Sequence, residues 1–299
     1  MQLQHVRYFV VLARERHFAR AAAACGVSQP TLSAGIVTLE QSLGRRLVAR
    51  DRRFIGLTDH GAAILPWAEQ VLGSVRGLEH ASEALSVALQ GEFRLAVIPA
   101  ALPLVGAFGQ ELIARNPGLS LSIQSHTSRE IERGLAANEF DSGITYLDHE
   151  PAANVLVVPL HDEQYVFAAR RGDGFDGRAA VGWDDVVSLP LCLLHQGMQF
   201  RRILDRQLAE RGLSAAPPVI ADSYVSLLAL VHSGNFVTIL PAAYARLLAG
   251  VGWCLFLPFD EEAPLRRVGL VAVNRDPLGP MVRAGLQAAQ AIRERGDGR

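Results

Sequence analysis

At 299 residues, 49% of them hydrophobic, the chain can bury two or three cores, and its composition excludes a disordered or low-complexity protein. The net charge of −1 hides an uneven spread: residues 1–60 carry nine arginines against four carboxylates, so a basic head precedes an acidic body. That distribution suits contact with a polyanion and excludes little else, since a solvated surface produces it as often.

Leu3, Val6, Phe9, Val10 and Ala13 share one face, which predicts a helix over residues 2–15. Charges recur there from Arg7 to Arg20, so neither a signal peptide nor a membrane span is expected. A short helix over Phe18–Cys25 follows, broken by Gly26-Val27-Ser28. Gly26 suits a left-handed helix end, Ser28 can cap the next helix, and Pro30 fits its first turn. Leu32, Ile36, Leu39 and Leu43 continue that third helix until Gly44. Helix, three-residue turn and helix form a helix-turn-helix, or on spacing alone an ordinary αα-hairpin. In the former, Gln29, Pro30, Thr31, Ser33 and Val37 face the major groove, where an amide pairs with adenine and apolar groups meet thymine methyls. Arg45, Arg46, Arg50, Arg52 and Arg53 then crowd into nine residues with one acid, Asp51. They predict a wing that grips phosphate or minor groove, and they tip the balance towards a DNA reader.

These residues carry a resemblance. Arg7-Tyr8-Phe9, Phe18-Ala19-Arg20-Ala21-Ala22, Val27 through Ser33, Leu43 through Leu47, and Leu57-Thr58-Asp59-His60-Gly61 strongly resemble LysR-type transcriptional regulators. The resemblance implies a winged helix-turn-helix, a dimerising linker helix and a two-lobed, periplasmic-binding-protein-like α/β effector domain. It also implies double-stranded promoter DNA as partner, a dimer of dimers, and possible contact with RNA polymerase. One departure is Ala34-Gly35, where many members carry a phosphate-gripping arginine.

From Thr58, a candidate cap, a long helix is predicted to about Leu89. Ile64, Ala68, Val71, Val75, Leu78 and Leu85 form a heptad seam, read as the dimerisation surface because a long helix between a small head and a larger body has little of its own to pack on. A core helix of one domain would show the same stripe. Pro66 should bend it. The expected boundaries are 1–58 for the DNA-binding domain, 59–90 for linker and hinge, and 91–299 for the body. Within the body, lobe 1 takes about 91–161 and 266–299, and lobe 2 about 162–265.

Beyond Gly91 strand and helix signals alternate with short connections, which predicts parallel α/β architecture. Ligands in such sheets sit beyond the strand carboxyl ends, against helix N-termini. That places an effector among Pro99, Ala100, Ala101, Ser125, Thr127 and Ser128 in one lobe and Gln199, Phe200 and Tyr224 in the other. Hydroxyls and free backbone N–H groups there suit a small carboxylate, although Ser125, Thr127 and Ser128 could equally only cap a helix. The segments Thr127–Leu135 and Thr145–Asp148 resemble regulators found beside formate dehydrogenase genes, which makes formate a candidate.

No GxSxG, P-loop, HExxH or post-strand GxGxxG is present, so catalysis, metal and cofactor are not expected, and an uncharacterised α/β enzyme is the remote alternative. Cys25, Cys192 and Cys254 are odd in number and form no CxxC, which fits a reducing cytoplasm. Redox sensing through Cys192 is the rival within regulation. Peroxide-sensing members place a reactive cysteine in the turn held here by Gly197-Met198-Gln199, while Cys192 lies inside an apolar strand.

Overall fold

The computed structural model describes residues 1–50, 54–83, 89–148, 154–261 and 263–296. Backbone contacts divide them into two units: Met1–Val87 with Ala136–Glu139, and Ala88–Leu135 with Phe140–Arg299. Among the described residues, no helix is long and apolar enough to cross a membrane.

The head consists of helices α1 (Leu3–Glu15), α2 (Phe18–Cys25) and α3 (Gln29–Leu43), then strands β1 (Val48–Arg50) and β2 (Phe54–Leu57), paired antiparallel. Its core joins Phe9, Leu12, Ala21, Leu32, Ile36 and Leu47, each essentially inaccessible. Gly26 ends α2 with φ of 68° and sends its N–H to the Ala22 and Ala23 carbonyls, where a Cβ would be strained.

Helix α4 (Asp59–Glu83) begins where Thr58 Oγ1 accepts the Gly61 N–H, and it continues through Pro66. The expectation that this helix lacks partners of its own needs correcting. Ala68 is buried, and Ile64, Leu65 and Leu72 pack against the head core, so Ile64 and Ala68 serve the head. Val75 is half-buried, while Trp67, Val71 and Leu78 remain exposed at 69%, 38% and 72%. Leu85 lies outside the described residues.

In the body, β3 (Gly91–Val97), β4 (Leu119–Ser125), β5 (Ser142–Tyr146), β6 (Val155–Glu163) and β12 (Arg266–Val273) form one sheet, ordered β4-β3-β5-β12-β6. Strand β3 is parallel to β4 and β5, whereas β12 is antiparallel to β5 and β6, so the sheet is mixed and not parallel throughout as expected. Strand β6 went unread in the sequence because Pro159 argues against a strand interior. It is tolerated here because β6 is the sheet edge and the register slips beside Gly269, its partner. Residues Pro99–Leu104 form a 3-10 turn leading into α5 (Val105–Arg115). Helices α6 (Ser128–Ala136) and α11 (Pro280–Gly296) complete lobe 1.

Lobe 2 is built around β7 (Tyr165–Arg170), which is antiparallel to both β10 (Thr238–Pro241) and β11 (Cys254–Leu257). A parallel pair, β8 (Cys192–Leu194) and β9 (Val219–Ala221), joins it where Cys192 N–H donates to the Val237 carbonyl. Helices α7 (Trp183–Val187), α8 (Gln199–Ala209), α9 (Tyr224–Ser233) and α10 (Ala242–Leu247) cover these strands. One residue, Gln164, separates β6 from β7, so the first crossover falls two residues beyond the expected boundary; the second crossover ends at Arg266. A single apolar core runs through both lobes.

Candidate nucleic-acid interface and effector cleft

The start of α3 is shaped by its own sequence. Ser28 is extended, with φ of −73° and ψ of 151°, and its Oγ accepts the Thr31 N–H at 3.3 Å and meets Thr31 Oγ1 at 2.8 Å. Leu32, Ile36 and Leu39 are buried on one side. Gln29, Pro30 and Thr31 are exposed on the other, with Ser33 and Val37 half-buried beside them. The five predicted groove-facing residues are therefore together at one helix end, where amide, hydroxyl and apolar groups suit base edges. Gly35 is held by packing: a Cβ there would lie 2.6 Å from the Tyr8 ring, itself buried.

Wing placement depends on a residue to which the sequence reading gave no role. Glu40 is 7% exposed, and its Oε1 accepts the N–H groups of Leu47 at 2.9 Å and Val48 at 3.1 Å. This holds β1 against α3. Phe54 packs edge-on against Phe18 at 6.5 Å between ring centroids, docking β2 on α2. Arg45 and Arg46 are exposed at the joint, and the Arg46 carbonyl accepts the Thr58 hydroxyl at 2.6 Å. Arg50 closes β1 opposite Phe54, while Arg52 and Arg53 lie outside the described residues. An acidic residue five before the arginine pair of the wing was the available signal for Glu40, but a lone carboxylate inside a helix usually faces water.

Between the lobes lies a cleft of about 220 Å³, open solvent included, lined by Ile98, Pro99, Ala100, Thr127, Ser128, Leu194, Met198, Gln199 and Phe200. Six of the nine predicted effector residues meet there. Ala101 is buried in the 3-10 turn, Ser125 is exposed at the end of β4, and Tyr224 stands behind Phe200 at 5.8 Å between ring centroids. Ile98 and Leu194 were missed, being apolar residues that look like ordinary core.

The expected free N–H at the α6 terminus needs correcting as well. Glu130 Oε2 accepts both the Thr127 N–H and its hydroxyl at 2.8 Å, while Thr127 Oγ1 accepts the Glu130 N–H at 3.3 Å. This reciprocal cap places a carboxylate of the helix itself where an anion was expected. The Thr127 N–H bond, followed by the hydroxyl bond, holds the Glu130 carboxyl below the usual carboxylate range.

Among the described residues, hydrogen bonds between the lobes include several at the cleft. Thr145 Oγ1 donates to Gln199 Oε1 at 3.1 Å, both residues being buried. Tyr244 donates to the Pro99 carbonyl at 2.7 Å. Arg202 reaches Ser128 Oγ at 3.5 Å and also binds the Gly197 carbonyl at 2.6 Å. Cysteine chemistry lies elsewhere. Cys192 is inaccessible, its Sγ 3.5 Å from the Val237 carbonyl and 3.8 Å from that of Leu227. Burial pushes its thiol up to about 11, and the Cys254 thiol likewise to about 11.

Residues 3–62 match the bacterial regulatory helix-turn-helix protein, lysR family, and residues 87–292 match the LysR substrate binding domain. A probable hydrogen peroxide-inducible genes activator from Mycobacterium avium is 32% identical over 271 residues, which is 89% of this chain and 86% of that one. The DNA-binding transcriptional dual regulator OxyR of Escherichia coli K12 is 30% identical over 299 residues, covering 100% and 97%. Among solved structures, a full-length cysteine-to-aspartate variant of Pseudomonas aeruginosa OxyR superposes with a TM-score of 0.76 at 28% identity, covering 98% and 95%.

Proposed function

Since the chain belongs to the LysR family of DNA-binding transcriptional regulators and is not an enzyme, we propose that a small organic acid switches it by binding reversibly between the two lobes, formate being the smallest candidate. Gln199 carries this reading. It lines the cleft and is clasped by Thr145 of the other lobe, so this position offers an amide and no oxidisable thiol. A ligand that prefers one lobe arrangement shifts the population towards it and so alters how the heads meet DNA. The base-facing end of α3 and the arginine wing supply the DNA contact. Exposed Trp67, Val71 and Leu78 on α4 supply a pairing surface, from which a dimer, and a dimer of dimers through the bodies, would read a roughly palindromic operator in the cytoplasm. Contact with RNA polymerase follows from such placement at a promoter.

A second reading, response to peroxide, is favoured by the names of the relatives. Peroxide oxidises thiolates, and with Cys192 at about 11 only roughly one in ten thousand of these thiols is ionised at pH 7. Gel shifts on the upstream fragment decide between the two. Formate, acetate or oxalate at millimolar concentration should change affinity, and hydrogen peroxide should not. If peroxide acts on wild type but not on Cys192→Ser, the second reading replaces the first.

A further inference from the structure

Four of the five tyrosines in the chain, Tyr146, Tyr165, Tyr224 and Tyr244, gather behind the wall of the cleft. Phe200, a lining residue, packs edge-on against both Tyr165 at 5.5 Å and Tyr224 at 5.8 Å, and Tyr224 lies 4.5 Å from Tyr244 between centroids. The four are at most 7% exposed. Tyr244 has its partner in the Pro99 carbonyl. The hydroxyls of Tyr165 and Tyr224 are buried and, among the described residues, have no hydrogen-bond partner; Nε of Arg266 is in the same condition. Tyr165 and Arg266 stand side by side without a hydrogen bond of good geometry.

Position adds to chemistry. Tyr165 opens β7 and Arg266 opens β12, each at a crossover between the lobes, and Arg266 faces Glu163 across the β6–β12 pair. The Glu163 carboxylate is already engaged, accepting the Gln164 N–H at 3.1 Å and the Ala243 N–H at 3.3 Å, with His161 at 3.7 Å. What is left unmatched is a set of donors: two phenol O–H groups and a guanidinium N–H. Buried polar groups are normally satisfied, and a carboxylate, which only accepts, complements such a set.

We infer that the acid head of the effector binds to Tyr165, Tyr224 and Arg266 behind Phe200, at the lobe hinge, and not at the N-terminus of α6, which Glu130 occupies. This rests on the reading of the cleft as an acid site and places the charge behind its wall, on residues that Phe200 screens from the cleft itself. Burial raises the Tyr165 hydroxyl to about 12 and pushes that of Tyr224 well above its ordinary value, so both remain donors at neutral pH. A head group held between the first residues of β7 and β12 couples occupancy directly to the angle between lobes.

Calorimetry on the full chain with formate, acetate and oxalate tests this, paired with thermal unfolding without ligand. Tyr224→Phe and Tyr165→Phe should each weaken binding roughly ten-fold or more, as loss of a hydrogen bond to a charged group does. The same variants should unfold no lower than wild type, because an unmatched buried hydroxyl has been removed. Arg266→Gln should weaken binding further, while Thr127→Val should leave affinity within about two-fold. Unchanged affinity in the tyrosine variants, loss of affinity in Thr127→Val, or a lowered unfolding temperature in Tyr224→Phe overturns the hinge site and leaves the cleft reading standing. Wild type that binds none of the three acids overturns both.

Discussion

Removing the Glu40 side chain should release the wing from the reading helix. In Glu40→Ala, the N–H groups of Leu47 and Val48 lose their shared acceptor, and both residues are buried to within 1% of complete. A stranded buried donor costs about 1–3 kcal/mol, so two cost about 2–6 kcal/mol. Glu40 itself is 7% exposed, which lets some water reach the gap and favours the lower half of that range. For a unit of this size each kcal/mol lowers the midpoint by roughly 4–8 °C, so a fall of about 8 °C or more is expected. Glu40→Gln keeps an oxygen facing both donors and loses only the charge assistance, about 1 kcal/mol. Scanning calorimetry would follow the head transition, and gel shifts would follow DNA affinity, which should drop for every sequence in the alanine variant. An alanine variant melting within about 2 °C of wild type would refute the anchoring role, as would a glutamine variant as damaged as the alanine one.

Further outcomes follow from the same geometry. Gln29→Ala and Ser33→Arg should weaken operator binding selectively, while Arg45→Ala and Arg46→Ala should weaken binding to all DNA and each lower the salt slope by about one unit in affinity titrations. Val71→Glu or Leu78→Glu puts a charge on the exposed stripe of α4 and should shift the chain to a smaller species in sedimentation; monomeric wild type at micromolar concentration would remove that surface from the account. Cys192 holds its proton more tightly when folded, at about 11 against 9.0, so its contribution to stability is intact below about pH 9 and is lost as pH rises through 11. Denaturant midpoints measured from pH 8 to 11 should therefore fall less steeply in Cys192→Ala than in wild type.

Much of the head was legible because its signals are local. Gly26, Ser28 and Pro30 define the turn, and the apolar spacing of α1 and α3 identifies their inner faces, all within about forty residues of chain. Family resemblance lay in the same stretch. Most strands of the body could likewise be found from short apolar runs; β11 went unread, and so did β6, whose proline reads as a breaker until its place at the sheet edge is known. Pairing direction could not be read, because periodicity shows which residues face a core and not which way the neighbouring strand runs.

What only the tertiary structure decided is which distant residues meet. Ile64 and Ala68 look like a dimer seam in one dimension and turn out to lie on the head core once α4 crosses it. Thr127 looked like an open anion donor until Glu130, three residues on, was seen folded back over it. Tyr146, Tyr165, Tyr224 and Tyr244 follow no common period, and each alone reads as an aromatic core residue. They converge because the chain crosses between lobes at Gln164 and returns at Arg266, and it is those two crossovers that set the hinge donors side by side. Spacing along a sequence records the face a residue presents; its partners depend on where the chain comes back.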